Sequence, residues 1–137
     1  MTTNSGPFEL QPIGRVRSPL VDPKSAPKQG YEGSPDAWID FDPAILEGLR
    51  DLRAGSEVIV LTWLHRADRS VLVTRPRDDP AAPETGVFST RSPGRPNPIG
   101  LHTVEVVSID GPSILVRNLE AVDGTPVLDM KPVLPRA

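Results

Sequence analysis

The residues best suited to bind or transform a ligand lie in three short segments that are rich in glycine and proline. These segments cover residues 27–30, 86–101 and 119–129. In the second segment, Arg91 and Arg95 each present a planar guanidinium that can hold a carboxylate or a phosphate through two hydrogen bonds. Prolines fix the backbone torsion φ, so such a segment loses little entropy when it binds a ligand. A stiff surface loop with solvated arginines is the alternative interpretation.

Histidine and aspartate side chains near these segments are the candidates for proton transfer. His65 follows an apolar stretch, and an ordinary histidine titrates near neutral pH, as a general base requires. Asp129 ends the third segment. The sequence does not decide between these two catalytic candidates, and a half-exposed His65 without a chemical role fits it as well. His102 offers a weaker case.

Several classes of site are excluded by residues that the chain lacks. The chain contains no cysteine, which removes disulfides, thiolate zinc sites and cysteine nucleophiles. Its two histidines are far apart and show no metal-ligand spacing, so we expect no metal. The glycine patterns of dinucleotide-binding and nucleotide-hydrolysing folds are absent, as is the Gly-x-Ser-x-Gly motif of hydrolases.

The size and charge of the chain limit its class further. The 137 residues predict one domain over 1–137, with an ordered core of about 8–134. No signal peptide and no membrane-spanning run is recognisable, so we expect a cytoplasmic protein without a membrane partner. The net charge of −3 gives no general attraction to nucleic acid. Any RNA substrate would therefore need a local basic patch, for which residues 86–101, with no acidic residue, are the candidate.

The chain contains 17 prolines and 11 glycines, which interrupt helices and strands and favour turns. We therefore expect short elements joined by tight turns to position these residues. Asp-Gly pairs at 110–111 and 123–124 predict turns. No regular alternation of strands and helices appears, which favours a mainly β, mostly antiparallel barrel or sandwich with one short helix. The predicted strands cover residues 8–16, 38–41, 57–64, 70–74, 101–109, 113–119 and 127–130.

One helix is predicted directly after the second strand. Asp42 is a favourable N-cap, and Pro43 suits the first helical position because its missing N–H is not needed there. Apolar residues follow at helical spacing at positions 45, 46, 49 and 52, and Gly55 supplies a stop. The aromatic side chains of Trp63 and Phe88 are expected in the core.

Four stretches of this chain resemble the TrmO/TsaA-like family. They are residues 12–19 (PIGRVRSP), 27–30 (PKQG), 86–101 and 123–132 (DGTPVLDMKP). The most specific is TRSPGRPNPIGL at residues 90–101, because such residues rarely cluster. The resemblance runs from about residue 10 to residue 134. One departure is Lys28, since family members usually carry arginine there, and lysine keeps the charge but loses the two-pronged geometry.

The resemblance implies a β-barrel methyltransferase of non-Rossmann type that works as a homodimer with S-adenosyl-L-methionine. The implied reaction is methyl transfer to N6 of threonylcarbamoyladenosine at position 37, in the anticodon loop of tRNA. By this resemblance the cofactor-binding residues are Pro27, Lys28, Gln29, His65, Arg66, Arg91, Leu101, Asp123, Gly124, Thr125 and Pro126. Arg95 and Asn97 are the candidates for holding the substrate.

Two other functions remain open. A methyltransferase of the same fold that acts on a small molecule or another RNA site is favoured slightly by the acidic composition. A non-catalytic barrel that binds the cofactor is the second.

Overall fold

The computed structural model describes residues 6–21, 34–76 and 79–135. Within these ranges, the 3₁₀ helices Pro43–Leu49 and Val87–Ser89 accompany the strands. Within the described residues, no helix has the length and apolarity needed to cross a membrane. The strands in chain order are β1 (Gly14–Arg17), β2 (Ala37–Phe41), β3 (Glu57–Trp63), β4 (Val73–Thr74), β5 (Thr85–Gly86), β6 (Ile99–Asp110), β7 (Ser113–Arg117) and β8 (Pro126–Pro132).

The larger sheet is a closed barrel in the strand order β1-β2-β7-β6-β3-β8. Each pair of neighbouring strands is antiparallel. The short strands β4 and β5 pair separately as a two-stranded sheet. The prediction of a mainly β, antiparallel barrel is therefore confirmed, and the sandwich alternative is excluded because the sheet closes on itself.

Alternating side chains of the barrel strands build the core, as the period of two in a strand requires. In β2, Ala37, Ile39 and Phe41 point inward and are buried, while the residues between them are partly exposed. β-branched residues dominate the interior, in keeping with their preference for strands. The inward positions near one end are polar instead, since Thr62 and His102 are both buried there.

The strand registers place three connections at this same end of the barrel, which we call the loop end. Trp63 pairs with Ile99, and Arg15 pairs with Pro126, so the last residues of β1 and β3 lie beside the first residues of β6 and β8. The connections β1–β2, β3–β6 and β7–β8 consequently begin and end there. These connections comprise residues 18–36, 64–98 and 118–125. The first contains the whole predicted segment 27–30, and the other two contain most of the segments 86–101 and 119–129.

The predicted helix begins where expected but differs in type and length. The Asp42 side chain accepts a hydrogen bond from the Ala44 N–H at 2.9 Å, as an N-cap does. The helix is 3₁₀ rather than α and ends at Leu49, so the predicted continuation towards Gly55 was wrong. Asp51 takes a left-handed φ of +74°, which no helix can continue through.

Two predicted strands are shorter than expected for identifiable reasons. The first begins only at Gly14, because Pro12 has no N–H to give to a strand ladder. The predicted strand 70–74 contains only Val73–Thr74. Its first residue, Ser70, is held in a turn because its N–H and hydroxyl both donate to Asp68 Oδ1, at 2.8 and 2.6 Å, and these bonds hold the pKa of Asp68 below its usual value.

Both predicted Asp-Gly turns form, with different consequences. Gly111 and Pro112 join β6 to β7 in a two-residue hairpin that closes between Asp110 and Ser113. Gly111 has a φ of +58°, and the proline keeps a negative φ, which makes this a type II′ turn. Gly124 also has a positive φ, of +82°, but β8 pairs with β1 and β3 rather than β7. The second turn is therefore not a hairpin.

The expectation that Phe88 lies in the core was wrong. Its ring is 80% exposed, while the neighbouring Val87 is fully buried and anchors this short helix. Trp63, which was also expected in the core, is instead half-buried on the outside of β3, where the guanidinium of Arg69 lies 5.2 Å from its ring centroid. Strand alternation explains Trp63, because Thr62 takes the inward position beside it.

An ion pair joins three strands on the outside of the barrel. Arg17 in β1 donates to both carboxylate oxygens of Asp40 in β2, at 2.8 and 3.0 Å. The Ser113 hydroxyl in β7 donates to Asp40 Oδ1 at 2.8 Å. The hydrogen bonds from Arg17 are the main reason that the pKa of Asp40 lies below its usual value. These interactions of Asp40 link β2 to both of its neighbouring strands.

Candidate functional site

The connection between β7 and β8 is tied to the end of β1. The Ser18 N–H donates to Asp123 Oδ1 at 3.1 Å, and the Asp123 N–H donates to the Leu20 carbonyl at 2.6 Å. The Gly124 N–H donates to the Val16 carbonyl at 2.7 Å. These bonds fix the backbone at Asp123 and leave one of its carboxylate oxygens without a protein partner in the described part of the chain.

The connection between β3 and β6 reaches the same place. The Arg66 guanidinium donates to the Val21 carbonyl at 2.8 Å, one residue after the carbonyl that Asp123 contacts. Arg66 and Asp123, which are 57 positions apart, therefore meet consecutive residues of the β1–β2 connection. Pro27, Lys28 and Gln29 belong to this same connection by sequence but lie outside the described residues.

The residues Gly124, Thr125 and Pro126 differ in how accessible they are to a ligand. A Cβ built on Gly124 would meet no atom within 4 Å, so its Cα is open on that side, while its carbonyl accepts a hydrogen bond from Arg15 at 3.2 Å. Thr125 and Pro126 are buried, and the Thr125 hydroxyl donates to the Val122 carbonyl at 2.7 Å. Gly124 is thus the open member of this predicted group, and Thr125 stabilises the turn beneath it.

Arg95 organises the second segment from within. Its guanidinium donates to the carbonyls of Val87 and Thr90, and its Nε is buried without a hydrogen-bond partner among the described residues. Its backbone N–H donates to the Asp68 carbonyl at 3.0 Å. This arrangement gives Arg95 a structural role, while its predicted contact with substrate stays a prediction.

The arginines of the β3–β6 connection differ in their availability. Arg66 donates to the Val21 carbonyl, and Arg69 donates to the Pro96 carbonyl at 2.7 Å and to Asn97 Oδ1 at 3.1 Å. Arg75 and Arg95 are likewise bonded to nearby carbonyls. Arg91 is exposed and forms no hydrogen bond or ion pair within residues 6–21, 34–76 and 79–135. Its guanidinium is available for a ligand.

Asn97 lines a groove beside the barrel, and the groove has a volume of about 660 Å³. Most of its walls are apolar, and Arg69 and Asn97 supply polar groups at one side. Phe8, Leu10 and Ile99 in this groove are exposed apolar side chains. The lining residues are Phe8, Leu10, Pro12, Trp63, Arg69, Asn97, Ile99, Pro126 and Leu128.

The remaining predicted residues lie on the outer surface. Leu101 in β6 and Asp129 in β8 both pair with Leu61 of β3, so they flank the same residue. Leu101 is 43% exposed, and Asp129 forms an ion pair with Lys131 at 3.3 Å. His65 is exposed in the turn after β3, and its ring has no hydrogen-bond partner in the part of the chain described.

The sequence interpretation missed a buried hydrogen-bonded cluster below the loop end. Thr62 Oγ1 lies 2.7 Å from Nε2 of His102, and His102 Nδ1 lies 2.6 Å from Oε1 of Glu120. Strand alternation could have placed His102 inside, on the same face as Val104, where a polar side chain needs partners. The identity of Glu120 as the partner depends on the path of the β7–β8 connection, which no local signal gives.

The chemistry available at the loop end is that of cations, carboxylates and open backbone. Among the described residues, no cluster of three or more histidine, cysteine or acidic side chains could hold a metal ion. Arg91 can pair with a carboxylate or phosphate, and the open oxygen of Asp123 can accept hydrogen bonds from hydroxyl groups. Groups of these kinds bind polar ligands that carry anionic and hydroxyl groups.

Comparison with known proteins assigns the family. Residues 15–137 match the model of the tRNA-methyltransferase O N-terminal domain. The chain belongs to the tRNA-methyltransferase O N-terminal domain family. A protein of Methanothermobacter thermautotrophicus, named a probable S-adenosyl-L-methionine-binding protein, is 44% identical over 125 residues, which cover 91% of this chain and 89% of that protein. The recognised resemblance to the TrmO/TsaA-like family is confirmed.

Other members of the family are longer than this chain. An Archaeoglobus fulgidus protein, also named a probable S-adenosyl-L-methionine-binding protein, is 44% identical over 124 residues, but the match spans 90% of this chain and only 33% of that protein. The crystal structure of TrmO from Pseudomonas aeruginosa aligns with a TM-score of 0.77 at 27% identity and covers 96% of this chain and 58% of that one. The shared fold is the barrel described above.

Proposed function

We propose that this chain is an S-adenosyl-L-methionine-dependent methyltransferase that modifies N6 of threonylcarbamoyladenosine at position 37 of tRNA. One observation carries the proposal: the connections that hold most of the predicted cofactor residues begin and end at the loop end, where Arg66 and Asp123 contact consecutive residues. Membership in the tRNA-methyltransferase O N-terminal domain family supports the same assignment.

The side chains at the loop end fit S-adenosyl-L-methionine. Arg91, exposed and without a protein partner in the described ranges, suits its methionyl carboxylate. Asp123 has an open oxygen for the ribose hydroxyls, and Gly124 lets a ligand approach the backbone. When bound, the cofactor supplies an electrophilic methyl group on a positively charged sulfur. The protein's task is to hold the acceptor nitrogen in line with that methyl carbon.

Recognition of RNA by this chain would rest on few positive charges. The net charge is −3, and several exposed arginines at the loop end are bonded to nearby carbonyls. This acidic character favours the second candidate, a methyltransferase of the same fold that acts on a small molecule or another RNA site. The exposed Phe88 is the group we assign to contact with the anticodon loop, by stacking on a base.

A homodimer is part of this proposal. The groove lined by Trp63, Ile99 and Leu128 leaves apolar side chains exposed on the outside of the barrel, and a second copy would cover them. The expected cytoplasmic location also stays a prediction.

A labelling experiment separates these functions. The purified protein is incubated with methyl-labelled S-adenosyl-L-methionine and with either tRNA that carries threonylcarbamoyladenosine or the same tRNA without that modification, and the RNA is digested to nucleosides. We expect label in methylated threonylcarbamoyladenosine from the first tRNA alone. Label at another nucleoside, or only in small molecules, would support the second candidate. Cofactor binding without any transfer would indicate a non-catalytic barrel.

A further inference from the structure

The carboxylate of Glu120 is held in a fixed orientation by a buried chain of hydrogen bonds that runs from Glu120 through His102 to Thr62. His102 contacts Glu120 Oε1 at 2.6 Å and the Thr62 hydroxyl at 2.7 Å. The side chain of His102 is 4% exposed, and that of Glu120 is 15% exposed. Each ring nitrogen of His102 therefore has one partner, and the ring cannot turn without losing both bonds.

In the described part of the chain, one of the two Glu120 oxygens forms a hydrogen bond and the other does not. Oε1 accepts the hydrogen bond from His102, while Oε2 has no partner in the described residues. Oε2 is not among the fully buried polar atoms that lack a partner, and 15% of the Glu120 side chain is exposed. Glu120 belongs to the β7–β8 connection, three residues before Asp123. Its unpaired oxygen therefore belongs to the same connection as the proposed cofactor residues 123–125.

The two residues that the sequence suggested as bases are less constrained. His65 is exposed, and no described residue fixes its ring by a hydrogen bond. The Asp129 side chain is half-exposed and paired with Lys131 at 3.3 Å. A general base works best when a neighbouring group orients it and its hydrogen-bonding oxygen is free for the substrate. Glu120 satisfies both conditions.

We propose that Glu120 is the catalytic base of the methyl transfer, oriented by His102; this inference rests on the proposed function. The acceptor nitrogen carries a hydrogen and a delocalised lone pair. As the nitrogen forms its bond to the methyl carbon, the bond between that carbon and sulfur breaks, and its electron pair stays on sulfur. The proton of the nitrogen moves to Glu120 Oε2, so the nucleoside product and the sulfur compound are both left neutral at the reacting atoms.

The test compares Glu120→Gln with Glu105→Gln, a change at a partly exposed glutamate of β6 that pairs with Arg117 on the outer surface. The glutamine keeps the size of Glu120 and an oxygen for His102 but cannot take a proton. We expect Glu120→Gln to lower kcat about 10²- to 10⁴-fold, the usual contribution of a general base. The thermal midpoint and the Kd for S-adenosyl-L-methionine should change little. Glu105→Gln should leave all three quantities unchanged.

The outcomes separate this inference from the proposed function. Glu120→Gln with nearly full activity would overturn the inference, as would a loss explained by weaker cofactor binding in a folded variant. Asp129→Asn with the larger loss in kcat would assign the base to Asp129 instead. If Glu120→Gln does not fold, Glu120→Asp, which keeps a carboxylate on a shorter chain, should fold and retain more activity than Glu120→Ala. An unchanged protein that modifies no RNA would instead contradict the proposed function.

Discussion

Single arginines of the β3–β6 connection have distinct roles that their exposure alone does not reveal. Arg66, Arg69 and Arg95 each donate to backbone carbonyls and so stabilise the loops that contain them. Arg91 lies in the same proline-rich segment and forms no such bond in the described ranges. The Arg91 guanidinium can therefore bind a ligand without breaking a hydrogen bond of the fold.

Arg91→Ala should therefore weaken binding of S-adenosyl-L-methionine without affecting the fold. A hydrogen bond to a charged group contributes about 1.5–3 kcal/mol, which corresponds to a rise in Kd of roughly tenfold to a hundredfold. Isothermal titration calorimetry measures this directly. The matched control is Arg53→Ala, an exposed arginine in the β2–β3 connection at the opposite end of the barrel. Equal affinities of the two variants would remove Arg91 from the site.

At the scale of the elements, the pairing of β3 with β6 makes room for the buried cluster. Thr62 lies opposite Gly100, and the missing side chain of Gly100 leaves the space in which Thr62 and His102 meet. A Cβ at Gly100 would collide with Thr62 Oγ1 and would lie 2.7 Å from His102 Nε2. The φ of Gly100 is not positive, so its backbone conformation does not call for glycine. Close packing is the reason that glycine is needed here.

Gly100→Ala should destabilise the protein by about 1–3 kcal/mol, the usual cost of overfilling a packed interior. Gly48→Ala is the control, because a Cβ there meets nothing within 4 Å. It should leave the free energy of unfolding unchanged or raise it slightly, since alanine favours helical backbone over glycine. Urea denaturation of both variants measures the difference. A Gly100→Ala protein as stable as the unchanged one would show that Thr62 and His102 can move apart at no cost.

Elements with strong local signals could be predicted from the sequence, and elements set by distant contacts could not. The strand that became β3 and the cap at Asp42 follow from β-branched residues and a favourable N-cap. The early end of the helix and the loss of most of strand 70–74 depend on turns at Asp51 and Asp68. Phe88 is exposed because Val87 fills the interior in its place, which no local pattern indicates.

At the scale of the whole molecule, the closed antiparallel barrel explains why segments so far apart in sequence form one site. In such a barrel, strands that are neighbours in space run in opposite directions, so connections between suitable pairs collect at the same end. Motif residues indicated which segments matter, but the sequence could not give their convergence, because it depends on strand order. It also could not give the contact of His102 with Glu120, which joins a strand to the β7–β8 connection.

Thermal denaturation in the presence of S-adenosyl-L-methionine tests the central claim most directly, namely that the loop end binds this cofactor. A ligand that binds only the folded state stabilises it by about 2.7 kcal/mol at a hundred times its Kd. We expect the midpoint to rise with cofactor concentration and to remain unchanged with a mixture of free methionine and adenosine at the same concentrations. A midpoint that does not move at millimolar S-adenosyl-L-methionine would contradict the account.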